Sequence, residues 1–148
     1  MKNTKLAPAN IVILAAGAVM VVASFLGFYK IDLPAVLGGS RSFSAWSQGQ
    51  FMIATLPALL GLVMALHVAL VAFANIDIPD MVLGLSWDQI HLALGFQAAL
   101  MMVAFLLRSN PYGSLGIGFW LMLLAGIALF AGAIMRVTGT GSSPNAAG

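Results

Sequence analysis

The chain has 148 residues, of which 61% are hydrophobic and only 7% are charged, and its formal net charge is +2. Soluble globular domains carry about 25% charged residues, so the composition excludes that class and indicates a protein of the lipid bilayer. Six basic and four acidic residues are too few for a nucleic-acid interface, and the lack of cysteine excludes disulfides and thiolate metal sites. We therefore expect membrane lipid, and not nucleic acid, to surround this protein.

Long apolar stretches predict an all-α integral membrane protein, since about 20 apolar residues cover a hydrocarbon core of about 30 Å. Four such stretches fit an up-down-up-down bundle of four transmembrane helices that forms a single domain over residues 1–136. The Gly/Ser-rich segment 137–148 is predicted to be a flexible tail. The predicted helices cover about 10–28, 51–73, 88–107 and 117–135.

The connection between the first two predicted helices has the pattern of a short β-hairpin. Ile31 and Leu33 alternate with polar neighbours, Gly38-Gly39-Ser40 is typical of a turn, and the alternation resumes at 42–46. We therefore predict a hairpin that covers one end of the bundle.

The second predicted helix carries a stripe of small residues, Gly61, Ala65 and Ala69. Small residues at this spacing allow helix backbones to approach closely in a membrane, so the stripe predicts a packing or partner face. His67 lies about 200° around the helix from Ala65 and points away from the stripe. We therefore expect this helix to be contacted on two sides.

Polar groups enter the apolar chain mainly at the start of the third helix. Asp88 and His91 are three residues apart on one face, and His67 lies at a similar depth in the preceding helix. Such a cluster is compatible with a divalent metal site at His67, Asp88 and His91, with a proton relay, or with a b-type haem bound by the two histidines. The alternative, which we favour, is structural: Ser86 or Asp88 caps the helix while the histidines satisfy each other or a carbonyl.

Gln97 lies deep in the third helix and about 180° around it from Asp88. Its amide needs a hydrogen-bond partner, either on another helix of the same bundle or on a neighbouring protein. Polar groups on opposite faces of one helix favour a bundle that is covered by a further membrane protein.

The stretch Ala23-Ser24-Phe25-Leu26-Gly27-Phe28-Tyr29, followed by Ser44-Ala45-Trp46 and a second span, resembles a pattern found in small four-span bacterial membrane proteins. The resemblance implies a four-helix fold in the bacterial cytoplasmic membrane and carries no activity with it. Basic residues do not decide the orientation, because three lie on each side of the predicted bundle. Lys2 and Lys5 precede the first span, which favours cytoplasmic termini.

The leading hypothesis for function is a non-enzymatic membrane protein that acts as a homo-oligomer or as an accessory subunit of a larger membrane complex. The first alternative is a redox, metal-binding or haem-binding membrane protein that uses His67 and His91, and the second is a small-solute channel or carrier. The sequence has no Ser/His/Asp arrangement with the spacing of a known hydrolase, which disfavours an enzyme.

Overall fold

The computed structural model describes residues 6–49, 51–74, 76–108 and 113–140, and within this part the protein is mostly helical. A π-helical turn, Phe51–Thr55, leads into the second helix. The four α-helices are α1 (Pro8–Ser24), α2 (Leu56–Phe73), α3 (Trp87–Leu107) and α4 (Ile117–Val137). The five short strands are β1 (Tyr29–Ile31), β2 (Arg41–Phe43), β3 (Met81–Val82), β4 (Leu85–Ser86) and β5 (Gly113–Leu115).

Three helical segments are long and apolar enough to cross a membrane, as expected for a membrane protein. They are Met52–Phe73, Trp87–Leu107 and Ile117–Val137, whereas α1 is apolar but has only 17 residues. The predicted tail begins inside α4, which continues to Val137, and its residues 141–148 lie outside the described part of the chain.

Helix α1 ends at Ser24 and does not continue to residue 28, because the chain turns there into a small sheet. The backbone N–H of Phe28 donates to the carbonyl of Phe43, and the carbonyl of Phe28 accepts from Gly116. The Phe28 side chain is fully buried against the rings of Phe105 and Phe119. The apolar residues 25–28, which the sequence predicts as the last turn of the first helix, therefore close one end of the bundle.

The first connection contains the expected hairpin, in which β1 pairs antiparallel with β2 and Tyr29 lies opposite Phe43. The structure adds a third strand, because β5 from the α3–α4 connection pairs with the other edge of β1. This three-stranded sheet lies where α1 ends and α4 begins, and we call that end of the molecule the sheet end.

The opposite end, which we call the hairpin end, is where α2 is connected to α3. Strands β3 and β4 form a two-stranded hairpin there, and its turn places Leu83 and Gly84 at φ values of 54° and 80°. The indole N–H of Trp87 donates to the carbonyl of Pro79 at 2.8 Å, which holds the connection against the start of α3. Asn10 in the first turn of α1 and Arg136 in the last turn of α4 lie at this same end.

Close helix contacts depend on several glycines, among them Gly17 and Gly95. A Cβ atom at Gly17 would lie 2.6 Å from the Cβ of Ala65 and from the carbonyl oxygen of Gly61, so α1 packs directly on the small-residue stripe of α2. A Cβ atom at Gly95 would lie 3.0 Å from the Cα of Phe130, so α3 and α4 approach similarly. The stripe at Gly61 and Ala65 therefore contacts a helix of the same chain.

Candidate functional site

Six side chains form a polar cluster at the hairpin end of the bundle. They come from all four helices, so the arrangement depends on how the helices pack. We define the polar cluster as Asn10, His67, Trp87, Asp88, His91 and Arg136.

A capping box at the start of α3 sets the direction of its cluster residues. The Ser86 hydroxyl oxygen accepts from the backbone N–H of Gln89 at 3.4 Å, and the Gln89 side-chain oxygen accepts from the backbone N–H of Ser86 at 3.0 Å. Of the two residues that the sequence suggested as a cap, Ser86 has this role. Asp88 is left to point toward α4, and His91, three residues later, lies on the same side of the helix.

Arg136 connects three helices through its guanidinium group. Its Nε donates to Oδ1 of Asp88 at 2.8 Å, and its Nη1 donates to Oδ1 of Asn10 at 3.1 Å. The same Nη1 lies 3.4 Å from Nδ1 of His91. Because a guanidinium can only donate, Nδ1 of His91 accepts in this contact, and the proton of the neutral ring is then on Nε2.

The two histidines contact each other and an indole ring. The His67 ring stacks on Trp87 with ring centroids 3.8 Å apart, and it meets the His91 ring edge to face at 4.9 Å. Both side chains are buried, with 8% of His67 and 1% of His91 exposed. Nδ1 of His67 and Nε2 of His91 are buried and have no hydrogen-bond partner among the described residues. Buried polar atoms normally have partners, so these two nitrogens are exceptions among the buried polar atoms of the described residues.

A metal ion or a haem needs its ligands in a particular arrangement, which the predicted ligands His67, Asp88 and His91 meet only in part. His67, Asp88 and His91 do lie in one cluster, but the Asp88 carboxylate is directed to Arg136. In the described part of the chain no three His, Cys, Asp or Glu side chains are grouped so that they could hold a metal ion. Two axial histidines must face each other across a porphyrin, whereas these two rings touch edge to face. Haem ligation by this pair would require the two helices to move apart.

A pocket of about 390 Å³ opens beside the polar cluster, between the end of α2, the start of α3 and the segment that connects them. His67 and Trp87 form part of its wall. Its charged lining residues are Asp77, Asp80, Asp88 and Arg136.

Gln97 is separate from this cluster and lies on the outside of the bundle. Its side chain is exposed near the middle of α3 and makes no hydrogen bond to a described residue. Three further exposed residues, at spacings of four and three, share its side of the helix. We define the Gln97 face as Ala93, Gln97, Leu100 and Ala104.

Arg136, Asn10 and Trp87 belong to the cluster, but sequence reasoning did not include them. The sequence could have predicted the contact between Arg136 and Asp88. In a bundle of alternating helices the end of α4 lies beside the start of α3, and Asp88 is the only acidic residue of α3. Asn10 and Trp87 carry no comparable signal, since asparagine before a span and tryptophan at its end are common at membrane boundaries.

Comparisons of the chain with protein-family models, with curated proteins and with solved structures give no match.

Proposed function

We propose that this chain is a non-enzymatic protein of the bacterial cytoplasmic membrane that acts as a subunit of a membrane assembly, with a second copy of itself bound at the Gln97 face. The observation that carries the proposal is the exposed amide of Gln97, in the middle of a helix that is long and apolar enough to span a membrane. In hydrocarbon a side-chain amide without a partner is unfavourable, and other helices are the usual source of partners.

A second copy suits this face for two reasons. An amide both donates and accepts, so two Gln97 side chains related by a two-fold axis complete each other's hydrogen bonds. Ala93 and Ala104 lie on either side of Gln97 and leave room for a second helix backbone to approach. Interhelical hydrogen bonds of this kind contribute roughly 0.6 to 2 kcal/mol each.

The proposal includes four spans, with α1 as the first of them. Its 17 residues rise about 25 Å, against about 31 Å for the 21 residues of α4. Asn10 contacts Arg136 at one end of α4, and the carbonyl of Gly27 accepts from Gly118 at the other, so α1 and the turn after it extend along the whole of α4. In an up-down-up-down order both termini lie on one side, which we assign to the cytoplasm because Lys2 and Lys5 precede the first span.

The test is the mass of the particle obtained by gentle detergent extraction from the native membrane. We expect a particle that contains at least two copies of the chain, and we expect Gln97→Leu to shift it toward the monomer. Val63→Leu, at an exposed position on α2, is the matched control and should leave the particle unchanged. A wild-type monomer would contradict the proposal. A particle that contains one copy of this chain and a different protein would show that the chain is an accessory subunit and not a homo-oligomer.

A further inference from the structure

We propose that the pocket at the hairpin end binds a small organic ammonium ion. The pocket is about 390 Å³, which lies within the range of roughly 300 to 1,000 Å³ that is typical of small-molecule sites. This inference goes beyond the proposed assembly and does not depend on it, because the pocket and the Gln97 face lie on different parts of α3.

The charges that line the pocket favour a cation. Asp77, Asp80 and Asp88 contribute three carboxylates, and Arg136 contributes the one guanidinium. That guanidinium is already bound to Asp88 and Asn10, and no described residue forms an ion pair with Asp77 or Asp80. The segment from residue 74 to residue 87 contains no basic residue, so these two carboxylates have no counter-charge within their own segment.

His67 supplies a second and independent feature. It lines the pocket, is only 8% exposed, and makes no hydrogen bond to a described residue through either ring nitrogen. A neutral imidazole has one nitrogen lone pair, and with the proton on the fully buried Nδ1 that lone pair is on Nε2, where an ammonium N–H is a suitable donor. The Trp87 indole, stacked on His67 and also part of the wall, adds an aromatic surface of the kind that attracts cations.

Other ligand classes fit less well. An inorganic or organic anion would meet a lining with two net negative charges when His67 is neutral. A metal ion would need several converging ligands, and among the described residues no such group of three is present. A small organic ammonium ion fits within this volume and can pair with the carboxylates and the imidazole together.

The test uses the whole protein in detergent micelles and follows the indole N–H resonances of its three tryptophans by NMR while phenethylammonium is added. We expect a saturable shift of the Trp87 resonance, assigned by its loss in Trp87→Phe, while those of Trp46 and Trp120 report any general effect on the micelle. 3-Phenylpropionate, which has a similar size and the opposite charge, is the matched control ligand and should give no saturable shift. Asp77→Asn and Asp80→Asn together should weaken phenethylammonium binding at least about tenfold, because each carboxylate contributes a charge-assisted hydrogen bond.

His67→Phe, which keeps an aromatic ring against Trp87, should also weaken binding. The double aspartate variant keeps the proposal testable if this substitution disturbs folding, since both aspartates are exposed. Equal shifts with the carboxylate, unchanged binding in the double variant, or a saturable response to zinc chloride alone would each overturn the proposal. An oligomeric state different from the expected one would not affect the proposal of ammonium binding, so either proposal can fail while the other holds.

Discussion

Nε of Arg136, in the last turn of α4, lies 2.8 Å from Oδ1 of Asp88, in the first turn of α3. The two residues are 48 positions apart in the chain. Each charge lies at the favourable end of its own helix dipole, with the acid at a helix start and the base at a helix end. Since Arg136 also donates to Asn10, this one side chain joins α1, α3 and α4 at the hairpin end.

Arg136→Met should therefore lower the free energy of unfolding by about 1 to 2 kcal/mol, a range that combines the loss of a partly exposed ion pair with the loss of charge-assisted hydrogen bonds. Thermal unfolding in detergent micelles measures the change. Arg108→Met, which removes the same charge at the end of α3, is the matched control and should have a smaller effect. A double-mutant cycle with Asp88→Asn should show a coupling of about 1 kcal/mol, and fully additive effects would contradict the ion pair.

Gly17→Ala should destabilise the protein, although alanine is the better helix former by about 1 kcal/mol. The added Cβ would lie 2.6 Å from both the Cβ of Ala65 and the carbonyl oxygen of Gly61, so α1 and α2 would have to separate. We expect a cost of about 1 to 3 kcal/mol in the same unfolding assay, as for other overpacked contacts. Ala15→Val, which adds more volume at an exposed position of α1, should be nearly neutral. A Gly17→Ala variant as stable as the wild type would show that the two helices do not pack this closely.

The two ends of the molecule should be labelled from opposite sides of the membrane. Val36, in the turn between β1 and β2, is 94% exposed, and Leu83, in the turn of the other hairpin, is 98% exposed. The chain has no cysteine, so Val36→Cys and Leu83→Cys each introduce a single reactive thiol, and the unchanged protein is the control. A membrane-impermeant maleimide should label Val36→Cys in intact cells and Leu83→Cys only after the cells are permeabilised. Labelling of both from one side would contradict the four-span order, and the reverse pattern would place the termini outside.

Apolar runs predict helices in this chain because hydrocarbon leaves no other way to pair the backbone of a single segment. Helices α2, α3 and α4 lie on three of the predicted runs. The end of α1 was harder to predict, since Phe28 is as apolar as a residue of a span but belongs to the closed sheet end. Strand β5 could not be predicted either, because its three residues acquire a strand conformation only by pairing with β1, more than 80 residues earlier in the chain.

Part of the candidate site was also accessible from residue patterns. The depths of His67 and His91 and the spacing of Asp88 and His91 suggested one cluster, and the structure brings these three residues together. The direction of the Asp88 carboxylate could not be predicted from the sequence, because it depends on which neighbour Arg136 contacts. The stacking of His67 on Trp87 likewise depends on the path of the α2–α3 connection, which Trp87 itself holds through its bond to Pro79.

Composition and the length of the apolar stretches by themselves indicated a helical protein of the membrane type, because burial in lipid acts on every residue of a span independently of its neighbours. The tertiary structure alone decided which of the few polar groups meet. Contacts between helices depend on rotation and register, and in a chain this uniformly apolar many rotations would bury similar surface. The close contacts of α1 with α2 at Gly17 and of α3 with α4 at Gly95 favour one of these rotations. In that arrangement Arg136 lies against Asp88, and Gln97 faces outward.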